Sequence, residues 1–445
     1  MHIALKKRLN GLNSSVKTEL IYAIILFIIL AIFSRKCLHY DGSSLLWQSD
    51  FDIFINAAET LYHKGNIYGT IPKNAGYNYY YSVFWAILLI TFIKSHVLGK
   101  ALWLLLTYFF YCRSFLLIKE NLPLTDAKLS SKTYSLWVFL TLLLTVKMLI
   151  ENVFAVQITP LLLWGMLESL SLANSKSRPI LAGILMGLLI NIKIMPIILL
   201  GYFAYRGYFK TVIACIVAFI ILLFLPSLFI GHSYNMFLLG KWWAVVSPFN
   251  AEHNIETITD ELRVNLGALI PAYTMDVQHI FNGGEIKRNF TNLNPLLVRK
   301  LITLASAVLA VLSFTFLRTF PFKKENNPLK TFWEASYFLL LIPLLMPHQQ
   351  QYALLLSLPL ISYLLYFFIV TFNKFQSIAY YCILGIFISS ALIYSPINGL
   401  DIIGRNLFSL LKIFKVISFA TLALIPVALY CSPYKLTKML NAKTI

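Results

Sequence analysis

Between Ser49 and Gly69 the chain reads SDFDIFINAAETLYHKGNIYG, and within it Asp52, Asn56, Glu59 and His63 recur at i, i+4, i+7 and i+11. On a helix that spacing gathers four polar side chains into one stripe, with Phe51, Ile55, Ala58 and Tyr62 as the apolar stripe beside it. A helix so divided lies in the plane of a membrane surface, and a solvated face explains Glu59 and His63. The two aspartates separate by position. Ser49 and Asp50 stand where an N-cap belongs, which gives Asp50 a structural reason to be acidic. Asp52 falls inside the first turn, where the helix dipole favours the ionised carboxylate. A carboxylate held charged suits a general base, so Asp52 is the expected catalytic residue and Asp50 the fallback.

Three further polar groups sit where lipid would make them costly. Lys193 lies in NIKIMP with Asn191 and Pro196, His348 and Gln349 lie in PHQQQY, and Gln157 is a lone amide in NVFAVQITP. A snorkelling lysine, a solvated turn and a helix-helix hydrogen bond would account for them one at a time. Taken together, a carboxylate, a cation and an imidazole around one cavity can accept a proton from a hydroxyl and hold a phosphate leaving group. The chain carries no Walker A loop, dinucleotide loop, zinc motif or nucleophile elbow, so an activated sugar would have to arrive on a lipid carrier.

The elements that must position these groups are membrane helices. Of 445 residues 59% are hydrophobic and 12% charged, and the mean hydropathy is +0.74. This composition excludes a soluble domain. Apolar runs occupy 20–33, 79–93, 101–118, 134–150, 153–172, 179–205, 211–230, 301–317, 332–346, 352–372, 377–395 and 416–430. Each is expected to be helical, because only a helix of this length satisfies its own backbone in lipid. The expected fold is an all-α polytopic bundle of about 11–13 spans, one integral membrane domain over 1–445, with external loops at 34–78 and 231–296.

Charge then assigns the sides. The net charge of +19 is concentrated in links between runs, among them NSKSR at 174–178, YRGYFK at 205–210 and PFKKENNPLK at 321–330. Positive links face the cytoplasm and anionic lipid, and that reading displaces nucleic acid as a partner. The first run follows Lys6, Lys7, Arg8 and Lys17 without a small-residue cleavage site, which predicts an uncleaved span with a cytoplasmic N-terminus. The five cysteines are scattered and suggest neither a disulfide framework nor a metal site. Two places break simple alternation. Run 179–205 is too long for one span and too short for two, which predicts a helix broken at Asn191–Pro196. Three runs lie between Lys100 and Lys176 where parity wants an even number, so one of them is partial.

In order along about residues 45–365, several segments resemble glycosyltransferase family 87 of the GT-C superfamily. DFDIFINAAETLYHKGNIYG with YNYYYSVFWAILLI is similar to the family's first external loop and second span. FAVQITPLLLWGMLE, ILAGILMGLLINIKIMPIILLGYFAYRGYFK and LLMPHQQQYALLLSLPL are similar to its Gln, Lys and His segments. The resemblance implies a metal-independent, inverting hexosyltransferase of the cell envelope that needs no cofactor. Mannose would be moved from a polyprenyl-phosphate donor to a lipid-linked or glycan acceptor at the outer face of the cell membrane. Position by position it places the base on Asp52, with Asp50 two residues away. It matches Lys193, His348 and Gln157 to the family's Lys, His and Gln; with Asn191 these are the expected donor-phosphate residues, and Tyr68, Tyr80, Gln349 and Asn56, the last where the family usually has Tyr, are the expected sugar or acceptor contacts. A flippase for lipid-linked sugars is the first alternative, but it would call for an internal repeat that the chain lacks. A polysaccharide polymerase is the second, drawing on Arg263 and Arg288 in the second external loop.

Overall fold

The computed structural model describes residues 14–38, 49–68, 78–124, 129–247, 261–317, 319–374 and 377–441. The basic residues Lys6, Lys7 and Arg8 and parts of both expected external loops lie outside them. Among the described residues the protein is an all-α bundle whose one sheet is the hairpin of β1 (His279–Phe281) and β2 (Gly284–Ile286).

The helices reproduce the apolar runs. In chain order they begin with α1 (Ser14–Leu38), α2 (Asp50–Tyr62), α3 (Val83–Leu89), α4 (His96–Asn121), α5 (Ser131–Ala155), α6 (Thr159–Ala173), α7 (Pro179–Ile192), α8 (Ile197–Tyr205) and α9 (Phe209–Phe224). After the short α10 (Ser227–Ile230) come α11 (His232–Val246), α12 (Leu266–Thr274), α13 (Pro295–Leu317), α14 (Pro328–Leu345), α15 (Leu358–Thr371) and α16 (Ile378–Tyr394). The chain closes with α17 (Leu400–Ile403), α18 (Arg405–Ile413), α19 (Val416–Tyr430) and α20 (Pro433–Asn441). Side-chain caps start several of them, as where Ser82 Oγ accepts the Trp85 N–H at 3.2 Å ahead of α3. Among the described residues six helices are long and apolar enough to cross a membrane alone, and the bent pair α18–α19 makes a seventh. The remaining apolar helices are shorter or interrupted. The protein is thus a multi-pass membrane protein in which full-length spans are fewer than the apolar runs.

Burial ranks these helices. The Gln351–Thr371 span is 89% buried and the N-terminal span 11%, so the first is the axis of the bundle and the second an outer strut. The hairpin of α7 and α9 is the tightest contact. A Cβ on Gly183 would stand 2.3 Å from the Thr211 carbonyl oxygen, and one on Gly187 would stand 2.7 Å from that of Cys215. Small residues four apart let the two backbones touch, the usual way to gain packing where lipid supplies no hydrophobic drive.

The break expected at Asn191–Pro196 is present. Helix α7 stops at Ile192, Lys193 is extended at φ −144°, and α8 restarts after Pro196. At the far end of α8 a buried knot fixes its direction. Arg206 forks onto both oxygens of Glu334 on α14, and the Tyr202 hydroxyl donates to the same carboxylate at 3.1 Å. Its Nη1 donates to Thr319 Oγ1 at 2.6 Å. The C-terminal end of α8 is therefore held, while Lys193 sits in the extended break that precedes the helix.

Helix α2 differs from the expected surface-lying amphipath. Phe51, Ile53, Phe54, Ile55, Ala57, Ala58 and Leu61 are all buried, and so is Asp52. Tyr62, expected on the apolar stripe, is 67% exposed. The cause is packing from several sides. Phe54 meets Tyr81 and Trp85 edge-on at 4.5 and 6.0 Å, while His96 and Lys100 of α4 reach the first turn.

Candidate active site

Three chain breaks meet at the start of α2. The first is the N-terminus of α2 itself, where Ser49 is extended and Asp50 is the first helical residue. The second lies between α5 and α6. Helix α5 ends with Val156 in the left-handed region at φ 48°, a conformation a β-branched residue rarely adopts. That turn brings Gln157 out of line with the helix, and its backbone is held by Asn152 O at 2.9 Å and by the Trp103 indole at 3.2 Å. The third is the break after α7, which presents Asn191 and Lys193.

Asp50 is where the three converge. The Gln157 side-chain amide donates to Asp50 Oδ2, and the Tyr81 hydroxyl donates to the same oxygen at 3.4 Å. Lys193 Nζ lies 3.5 Å from that hydroxyl and over the rings of Tyr81 and Tyr352, at 5.3 and 5.7 Å from their centroids. Ser82 Oγ donates to Asn191 Oδ1 at 2.9 Å and so ties the α7 end to the segment before α3. Burial pushes the Asp50 carboxyl above its ordinary range, against the pull of the Lys193 charge and of the Gln157 and Tyr81 hydrogen bonds. Gln157 Oε1 and Asn191 Nδ2 are buried without a hydrogen-bond partner among the described residues. Buried amide atoms of this kind call for a polar partner from outside the chain, water or ligand.

Asp52 faces elsewhere. Its Oδ2 accepts the Ser49 N–H at 2.8 Å and the Ser49 hydroxyl at 2.7 Å, which makes it the acidic member of a capping box. Its Oδ1 lies 2.9 Å from both Lys100 Nζ and His96 Nε2, at ion-pair distance. Burial raises its pKa, but His96, Lys100 and Ser49 outweigh that and hold the group at about 2. The capping function expected of Asp50 is thus performed by Asp52, two residues later.

A second group of residues adjoins the first through the Tyr80–Tyr81 dipeptide. His348, at φ 57°, stacks on Tyr80 with centroids 4.6 Å apart and rings 24° from parallel. Its Nδ1 lies 2.6 Å from Arg263 Nη1. The strand-like stretch around Arg263 is bonded to the PHQQQ turn, with the Val264 N–H donating to Gln349 O at 2.9 Å and an antiparallel bridge between Arg263 and Gln350. Gln349 is buried, and its amide donates to Pro347 O at 2.7 Å.

Two expected contacts stand apart from these groups. Tyr68 is buried with its hydroxyl donating to the Tyr81 carbonyl at 2.9 Å, so it braces the segment that carries Tyr81. Asn56 stands a turn and a half beyond Asp50 on α2, its carbonyl accepting from Thr60 at 2.7 Å. Tyr81, Ser82 and Tyr352 join the site although sequence reasoning did not select them. The aromatic run YNYYYS was the available signal. Among the described residues no three His, Cys, Asp or Glu side chains gather as a metal-binding set.

A family model described as glycosyltransferase family 87 matches residues 79–347, more than half of the chain. The match takes in Tyr80, Gln157, Asn191, Lys193 and Arg263; Asp50 precedes it and His348 follows it by one residue. No curated protein matches the chain.

Proposed function

The chain belongs to glycosyltransferase family 87, and from that premise we propose that it is an inverting hexosyltransferase drawing on a polyprenyl-phosphate sugar, with Asp50 as general base. The single observation that carries this reading is the pair of hydrogen bonds from Gln157 and Tyr81 onto the Asp50 carboxylate, with Lys193 Nζ 3.5 Å from the same Tyr81 hydroxyl. Asp50 takes the proton from an acceptor hydroxyl, and that oxygen forms the new bond to the anomeric carbon. The anomeric carbon releases the phosphate oxygen, whose electron pair stays with the carrier. The carrier phosphate thereby passes from a singly charged diester to a monoester of higher negative charge, and Lys193 offsets the charge that develops.

Preference for Asp50 over Asp52 follows from what each carboxylate already does. Asp52 is held near pKa 2 by Lys100, His96 and Ser49, which makes it a weak proton acceptor. Asp50 is raised by burial and accepts from Gln157, whose own Oε1 is buried and unpaired among the described residues and suits a sugar hydroxyl. The basic links, read as cytoplasmic, support a site at the outer face of the cell membrane that takes a lipid-linked or glycan acceptor. Mannose is the sugar we assign. Incubating the purified protein with polyprenyl-phosphate mannose and acceptor lipid, and measuring carrier release against product formed, tests this reading. Carrier phosphate and glycosylated product should appear in equal amounts. A protein that moves the intact donor across a vesicle without cleaving it would instead be a flippase.

A further inference from the structure

We propose that Arg263 is a phosphate-binding residue of this site, and that it fixes His348 as a neutral hydrogen-bond donor. The proposal rests on the glycosyltransferase reading and extends it to a side chain that reading does not require.

The chemistry follows from what each group can do. A guanidinium only donates, so at 2.6 Å from Arg263 Nη1 the His348 Nδ1 must be the acceptor. The ring then carries its proton on Nε2. An imidazolium would need a proton on Nδ1 and would set two cations against each other at that distance. The pair therefore combines one permanent positive charge, on Arg263, with one N–H donor, on His348. Tyr80 stacked on the imidazole fixes the direction in which that donor points.

Arg263 is also held from behind. Its carbonyl accepts from the buried Lys415 Nζ at 3.0 Å, and its strand is pinned to the PHQQQ turn by the Val264–Gln349 and Arg263–Gln350 contacts. Three chain segments far apart in sequence thus join to hold one guanidinium against His348, which stacks on Tyr80, and the adjacent Tyr81 bridges Asp50 and Lys193. Departure of the sugar adds negative charge to the carrier phosphate. A planar fork of fixed charge matches a phosphate better than a titrating imidazole does, because its protonation does not change as that charge grows. Lys193 and Arg263 then hold the phosphate between them, with His348 Nε2–H as the third donor.

The test compares wild type, Arg263→Met, Arg263→Lys and Asp50→Asn for binding of undecaprenyl phosphate in detergent and for transfer from the mannosylated carrier. The same proteins are labelled at histidine with nitrogen-15 to read the His348 tautomer. Arg263→Met should weaken carrier-phosphate binding at least tenfold and abolish the single Nε2–H tautomer, while Asp50→Asn should lose transfer but bind the carrier as wild type does. Arg263→Lys should recover part of the binding without the tautomer. Wild-type carrier affinity and an unchanged tautomer in Arg263→Met would overturn the proposal and leave the transferase reading standing. Transfer by none of the proteins, wild type included, would overturn the reading beneath it. If Arg263→Met fails to fold, Arg263→Lys decides: full affinity together with a wild-type tautomer contradicts the assignment.

Discussion

Asp50 and Asp52 stand two residues apart on one helical turn, yet among the described residues their carboxylates have no hydrogen-bond or ion-pair partner in common. Asp50 accepts from Gln157 and Tyr81, brought by the end of α5 and the segment before α3, whereas Asp52 closes on Ser49, His96 and Lys100. A step of two residues turns a side chain by roughly 200° around a helix, so neighbours in sequence face opposite walls. Asp50 faces Gln157 and Tyr81, while Asp52 holds α2 against α4.

That division predicts distinct pH behaviour for Asp52. Its folded pKa of about 2 lies below the ordinary 3.8, so its contribution to stability is complete above about pH 4 and is lost as the pH falls through the folded value. Thermal melts of the detergent-solubilised protein should show a fall in Tm between these limits that Asp52→Asn removes. Because the substitution leaves the buried Lys100 without its counter-charge, it should also cost about 3 kcal/mol at neutral pH.

Asp50 should set the acid limb of activity. Its pKa is raised by burial, and the base works only when ionised, so kcat/KM should fall with decreasing pH at a point above the usual aspartate range. The Gln157 hydrogen bond favours the ionised form. Gln157→Leu should therefore move the limb to still higher pH, and a limb that stays in place would show that Gln157 does not tune the base.

The knot at the end of α8 should matter through stability alone. Glu334→Gln leaves the buried Arg206 charge uncompensated and should cost about 3–5 kcal/mol, read as a lower Tm. Replacing both residues with apolar ones of similar size should restore much of the loss, and transfer per folded molecule should change little in the double variant.

Gly183 tests the α7–α9 contact, because its missing Cβ is where the Thr211 carbonyl sits. Gly183→Ala should destabilise the protein by about 1–3 kcal/mol, since the helices must part to admit a methyl group. Gly201, with open space around its missing Cβ, is the control and should accept alanine without loss.

Much of the architecture was legible in the sequence, because hydrocarbon demands helices and the apolar runs mark them. The break at Asn191–Pro196 was legible for the same reason: proline ends helices and lysine shuns lipid. Gln157, Lys193 and His348 could be selected as polar groups at membrane depth. What could not be read was which carboxylate faces Gln157 and the Tyr81–Lys193 pair. Asp50 and Asp52 differ by a rotation about α2, and that rotation is set by His96 and Lys100, some fifty residues further along the chain. The stripe logic also failed for Tyr62, because α2 is packed on several sides rather than on one. Arg263 lay in a loop whose pairing with the PHQQQ turn leaves no periodic signature.

The measurement that bears most directly on the central claim is single-turnover release of polyprenyl phosphate by Asp50→Asn and Asp52→Asn, compared per folded molecule. With Asp50 as the base, Asp50→Asn should slow release by about 10²–10⁴-fold while its melting curve stays near wild type, and Asp52→Asn should melt earlier yet retain most of the rate. Near-wild-type release by Asp50→Asn, with release abolished in folded Asp52→Asn, would contradict the account.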